Sequence, residues 1–244
     1  MMSETKAAAP SRGLFRNLLD LYLSPREAFD GILRAPRLGV SVPAYLAVGL
    51  LFTAVWMSNL DPRVFVKNQM EESGQWEKMT AEQRTAGLDA GARFFPIFSW
   101  VIGVLAPIVL LLVVAGVLLF VFRFFYASEV TFSRAVAVVA WSFLAAGLVT
   151  VPLSLLVMQL RGDWNLNPQD VLAANPTLLL EKGSTAKPLW VLVGSLDLFS
   201  LWRAFLLASG FGVAGKRSTG SAFWGVAACW GLWVLGQFSL AFLR

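Results

Sequence analysis

Five long apolar blocks constrain this chain more than any other feature of its sequence. A bilayer hydrocarbon core of about 30 Å is crossed by about 20 helical residues, and each block reaches that length. Because lipid offers the backbone no hydrogen-bond partners, we expect every block to be helical. The sequence therefore predicts an all-α, polytopic integral membrane protein with a bundle of five transmembrane helices. The predicted spans are residues 38–57, 96–122, 135–158, 188–210 and 221–243.

Composition argues against an enzyme. Only 14% of the residues are charged, whereas a soluble domain carries about 25%. The sequence contains no histidine, which is the commonest general base and metal ligand. It has no phosphate-binding loop, no nucleophile elbow and no dinucleotide fingerprint. We therefore expect no catalytic activity, no metal and no cofactor.

Lysine and arginine are spread over the ends of the apolar blocks, and no basic stripe with interleaved aromatic residues is present. This pattern argues against a nucleic-acid partner. If the N-terminus is cytoplasmic, the inner segments carry ten basic and five acidic residues, and the outer segments carry nine of each. The positive-inside rule then predicts a cytoplasmic N-terminus and an external C-terminus.

Residues 1–37 are predicted to form a cytoplasmic amphipathic segment that lies on the inner leaflet. Within it, "SPRE" is a helix start with Ser24 as the N-cap and Pro25 in the first turn. Apolar residues follow helical spacing on both sides of this start. They are Leu14, Phe15, Leu18, Leu19 and Tyr22 in the first stretch, and Ala28, Phe29, Ile32 and Leu33 in the second.

The fourth block contains two charged residues, Asp197 and Arg203. A carboxylate inside a bilayer is costly, so Asp197 should face other helices or water. At 100° per residue, a stripe of small residues is centred on Asp197, and we expect this stripe to pack against the fifth block. The stripe consists of Ser200, Ala204, Ala208 and Gly212. Trp202 lies deep enough to pack between helices, and Arg203 is about 120° from Asp197, too far around the helix to be a good partner.

Two interpretations of Asp197 remain open at this point. The carboxyl group can be a hydrogen-bonded contact between helices, or it can take part in substrate passage or partner binding.

Several stretches resemble the Yip family, the Ypt/Rab-GTPase-interacting membrane proteins, in its bacterial form. They are "LSPREAFDGILRAPR", "VTFSRAVAVVAWSFLAAGLVTVP" and "LWVLVGSLDLFSLWRAFLLASGFGVAGKRSTGSAFWGVAACW". The resemblance implies a five-span domain over residues 38–244 with a cytosolic N-terminus, in a bacterial cytoplasmic (inner) membrane. Eukaryotic members bind small GTPases and one another.

The stretch "DLYLSP" at residues 20–25 is similar to the Asp-Leu-Tyr-Gly-Pro element of eukaryotic members, but has Leu-Ser in place of Gly. This departure argues against small GTPase binding. Asp20, Tyr22, Pro25 and Phe29 remain candidates for a partner-binding or membrane-surface motif.

We therefore predict a non-catalytic membrane scaffold or adaptor that contacts the lipid bilayer and forms homo- or hetero-oligomers. The alternative is a small transporter or channel that uses Asp197 at mid-membrane.

Overall fold

The computed structural model describes residues 13–172, 174–176 and 187–241, and the described part of the chain is helical. Ten α-helices and one short 3-10 turn, Trp76–Lys78, follow one another in that part. The helices are α1 (Leu14–Leu23), α2 (Pro25–Arg34), α3 (Leu38–Asn59), α4 (Pro62–Glu72), α5 (Ala81–Phe124), α6 (Phe132–Arg161), α7 (Pro168–Val171), α8 (Lys187–Ser195), α9 (Leu198–Ala214) and α10 (Thr219–Ala241).

Four of these helices, α3, α5, α6 and α10, are long and apolar enough to cross a membrane. The all-α prediction is confirmed for the described residues. Local sequence sets several helix ends. Thr80 and Gln83 form the capping box that begins α5, and Gly162 ends α6 in the left-handed conformation that glycine adopts without strain.

The first three long helices, α3, α5 and α6, alternate in direction. α3 and α6 run parallel, because Tyr45 meets Phe143 in the first half of each helix, and Trp56 shares a cluster with Met158 near the end of each. α5 runs against both, because its early residue Phe95 contacts Trp56. The start of α3 and the linkers 125–131 and 215–218 therefore lie at one end of the bundle, which we call the linker end. The opposite end, with α4 and residues 163–171, is the loop end.

The second and fourth apolar blocks differ from the predicted spans. α5 begins at Ala81 instead of residue 96, because its capping box extends the helix through the polar stretch before the block. The fourth block is not one continuous helix, since it breaks between α8 and α9 at Leu196 and Asp197.

α1 and α2 form a helical hairpin that packs into the bundle. Its buried side chains join the main core together with residues of α5, α6 and α9. The buried residues are Leu18, Leu21, Ala28, Phe29, Ile32 and Leu33. The predicted apolar face of α2 is therefore buried against other helices, whereas in α1 only Leu18 of the predicted face is buried, and the buried Leu21 lies outside that face. In α1, Phe15 and Leu19 stay exposed, at 73% and 45%.

A second, smaller core closes the loop end. Trp56 packs against Phe65 of α4 and Phe95 of α5, and its indole Nε1 donates to the Trp164 carbonyl oxygen at 3.0 Å. Val66 of α4 lies against Gly91 of α5, where a Cβ atom would come within 2.6 Å of Val66 Cγ1. Glycine at residue 91 thus permits the close approach of α4 to α5.

Candidate functional site

The break in the fourth block places Asp197 at the N-cap of α9. One carboxylate oxygen, Oδ2, accepts from the Ser200 amide at 2.9 Å and from the Ser200 hydroxyl at 3.0 Å. A carboxylate satisfies the orphan amides of a helix start and interacts favourably with its dipole. The break is also tied to the loop end, because the Leu198 amide donates to the Ala174 carbonyl oxygen at 3.2 Å. The expected position of Asp197 inside a continuous helix is therefore wrong.

Arg203 is linked to Asp197 through Ser200. Its Nη2 atom donates to the Ser200 hydroxyl oxygen at 3.1 Å, so Ser200 connects the two charged residues that the helical geometry keeps apart. The second carboxylate oxygen of Asp197, Oδ1, is buried and has no hydrogen-bond partner among the described residues.

Three residues of the small-residue stripe of α9, Ala204, Ala208 and Gly212, are buried and Ser200 is half-buried, but only part of the stripe faces α10 as predicted. α9 and α10 pack along each other. Gly212, however, lies against Arg26 of α2 and the backbone of residues 217 and 218. On α10, Gly225 lies against the ring of Tyr126. Because the hairpin packs next to α9, the stripe contacts α2 as well as α10. Ala204 and Ala208 belong to the main core.

Tyr22 brings the two predicted groups of site residues together. Its ring stacks on Trp202 of α9 with the centroids 5.8 Å apart. Its hydroxyl donates to the Ala145 carbonyl oxygen at 2.8 Å, close to the midpoint of α6. Burial raises the pKa of the Tyr22 phenol, so the donor keeps its proton at physiological pH. Tyr22 thus attaches α1 to both α6 and α9.

Phe29 is the second attachment, and it corrects an expectation. Its side chain is fully buried, next to the site where Gly210 of α9 approaches Val138 of α6. Phe29 is therefore not available to a partner or to the membrane surface in this structure. Pro25 begins α2 as predicted, but Ser24 makes no side-chain cap bond. The carbonyl oxygen of Asp20 accepts from the Ser24 amide at 2.7 Å and holds the turn between the helices.

Sequence reasoning missed Gly210. A Cβ atom at this residue would lie 2.4 Å from Val138 Cγ1 and 3.1 Å from Phe29 Cε1. Only glycine allows α2, α6 and α9 to meet at this distance. The run of small residues in "ASGFG" was the available signal.

Hydrogen bonds join three distant segments at the linker end. Arg26 donates to the Arg217 carbonyl oxygen at 3.1 Å, and Arg217 donates to the Tyr126 carbonyl oxygen at 2.8 Å. The Tyr126 hydroxyl donates to the Ser221 carbonyl oxygen at 2.9 Å. The hairpin and both linkers therefore form one continuous surface.

The described residues contain no group of three or more histidine, cysteine, aspartate or glutamate side chains that could hold a metal ion. What the geometry does provide is a set of tight helix contacts and one ordered polar surface.

Comparison with known proteins supports the resemblance. Neither the curated proteins nor the solved structures give a match. The family model described as the Yip1 domain matches residues 19–241. Because this range runs from within α1 to the end of α10, the chain belongs to the Yip1 domain family.

Proposed function

We propose that this integral membrane protein is a scaffold or adaptor that presents the linker end to partner proteins and crosses the bilayer five times. In this proposal, α8 and α9 together form the fourth crossing. α9 alone has 17 residues, which is at the lower limit for a span. The addition of α8 gives the crossing enough length.

The observation that carries the proposal is the joined surface at the linker end. Its segments are far apart in sequence, with Arg26 and Arg217 separated by 191 positions. Hydrogen bonds between such segments give a surface of defined shape, and rigid surfaces bind partners at a lower entropic cost. At the linker end, α2 carries exposed charged side chains, including the Asp30–Arg34 ion pair. Charged residues at such a surface favour selective encounter with a partner of complementary charge.

Small GTPases are not included among the proposed partners. In the "DLYLSP" element, the Tyr22 ring and hydroxyl are both engaged within the protein, on Trp202 and Ala145. These contacts support a role for Tyr22 in docking of the hairpin. The charge distribution supports an orientation in which the linker end is cytoplasmic.

Site-specific photocrosslinking in native membranes tests the scaffold proposal. The photoreactive residue replaces exposed Arg34 at the linker end, or exposed Glu82 at the loop end as the matched control. We expect a discrete adduct from residue 34, which mass spectrometry would identify as a second copy or another membrane protein. If residue 34 gives no protein adduct, or the same adducts as residue 82, the proposal fails.

A small transporter or channel is the second candidate, and the buried, unpartnered Asp197 Oδ1 is the observation that favours it. Asp197→Asn removes the charge but keeps a good N-cap, so the fold should survive. Loss of ion flux from proteoliposomes in this variant would favour transport. If neither the wild type nor the variant gives flux above that of empty liposomes, the second candidate is refuted.

A further inference from the structure

The exposed side of α5 near the linker end contains an open cavity of about 390 Å³. Five residues on one face of the last turns of α5 line it: Gly116, Leu119, Phe120, Arg123 and Phe124. A Cβ atom at Gly116 would meet nothing within 4 Å. The missing side chain therefore leaves free space along the helix and is not needed for helix packing.

The walls of this cavity are apolar. Phe120 and Phe124 stack with their ring centroids 5.5 Å apart, and they are 60% and 71% exposed. In a membrane protein these rings face the acyl chains of lipid. The two stacked rings and the space beside Gly116 together form a groove. A hydrocarbon chain that fills this groove makes closer dispersion contacts than it makes in bulk lipid.

Arg123 supplies charge at the end of the groove. Its Nε atom donates to the Val130 carbonyl oxygen at 2.8 Å, which holds the guanidinium beside linker 125–131. Among the described residues, the Arg123 guanidinium makes no ion pair. Its Nη groups retain the planar, forked donors that match a phosphate group.

The surroundings favour a ligand with net negative charge. Arg217 is bound to the Tyr126 carbonyl oxygen in the same linker, and Lys216 is its neighbour in sequence. Glu129, also in this linker, is the opposing charge. The two linkers thus carry Lys216 and Arg217 in addition to Arg123 at the end of α5, against Glu129, and such an excess of positive charge attracts anionic lipid headgroups.

We propose that this groove binds one anionic glycerophospholipid. An acyl chain lies along Gly116, Leu119 and Phe120, and the headgroup phosphate accepts hydrogen bonds from Arg123. The proposal requires only that the end of α5 lies at a membrane interface, so it is independent of the scaffold role.

The test uses the full chain in nanodiscs that contain equal amounts of phosphatidylglycerol and phosphatidylcholine, followed by native mass spectrometry of the released protein. We expect the wild type to retain phosphatidylglycerol in preference to phosphatidylcholine. In Arg123→Gln, retention should fall about fivefold, which corresponds to about 1 kcal/mol for one interfacial arginine. Arg93→Gln is the matched control, because Arg93 is an exposed arginine of the same helix outside the groove, and it should retain lipid as the wild type does.

Arg123→Gln also removes the bond to Val130, so Gly116→Leu provides a second test that leaves Arg123 intact. Leucine fills the groove, and lipid retention should again fall. Equal retention in the wild type, Arg123→Gln and Gly116→Leu would overturn the proposal. Equal retention of both lipids by the wild type would also overturn it.

Discussion

Gly210→Ala should separate the hairpin from the bundle core. The new Cβ atom would lie 2.4 Å from Val138 Cγ1 and 3.0 Å from Val138 Cγ2. Val138 is β-branched and fully buried, so it has little freedom to rotate away. On the other side, Phe29 Cε1 is 3.1 Å away. Relief of these contacts requires α9 to move away from α6 and α2.

The magnitude follows from two opposing effects. Overpacking of a well-packed core costs about 1–3 kcal/mol, whereas replacement of glycine by alanine inside a helix contributes up to about 1 kcal/mol of stability. Gly231→Ala on α10 is the matched control, because its Cβ atom would meet nothing within 4 Å. We therefore expect Gly210→Ala to be less stable than Gly231→Ala by about 1–3 kcal/mol.

Thermal unfolding in mild detergent, followed by circular dichroism, compares the two variants with the wild type. A spin label on Phe15→Cys, with the native Cys229 replaced by alanine, reports separately on hairpin docking. Gly210→Ala should lower the midpoint and increase the mobility of the label, and Gly231→Ala should do neither. Equal stability of the two variants would refute the conclusion that contact at residue 210 holds α2, α6 and α9 together.

Three further predictions concern single hydrogen-bonding groups. The pKa of the Tyr22 phenol is raised in the folded protein, so its stabilisation of hairpin docking is complete below the ordinary pKa of 10.0 and is lost as pH rises through the higher pKa of the folded protein. The same spin label should therefore gain mobility above pH 10 when Tyr22 is present. Tyr22→Phe should remove this pH dependence. Asp197→Ala should cost about 1 kcal/mol through loss of the N-cap, and Asp197→Asn should cost less in the same unfolding assay; equal loss in both would show that charge is essential there. Thr80→Ala should destabilise the first turn of α5 by about 1 kcal/mol. Hydrogen exchange should then become faster in the amides that follow residue 80 and stay unchanged near Gly116.

The positions of the long helices could be predicted because hydropathy and length alone determine what a bilayer accepts. The break at Asp197 could not be predicted in this way. Leu196 and Leu198 on either side are compatible with a continuous helix, and the predicted stripe assumed one. The signal was present in another form, because aspartate is also one of the preferred N-cap residues.

The docking of the hairpin shows a second limit. Helical spacing correctly identified Leu18, Phe29 and Ile32 as buried members of apolar faces, but most of the predicted α1 face is exposed and the buried Leu21 was not predicted. An amphipathic pattern predicts which face of a helix is shielded from water, but it does not show whether lipid or protein covers that face. The contacts of Tyr22 with Ala145 and of Phe29 with the Gly210 site depend on tertiary geometry that no local pattern encodes.

The hydrogen bonds that join the surface at the linker end determine which substitutions the sequence can tolerate there. Arg26, Arg217 and Tyr126 each donate to a main-chain carbonyl, and every amino acid carries that acceptor. Substitution of Ser221, an acceptor only through its backbone in this network, should leave the bond from Tyr126 in place, whereas substitution of a donor removes its bond. Among related chains, we expect Arg26, Arg217 and Tyr126, which donate through their side chains, to vary far less than Ser221, which only accepts in this network.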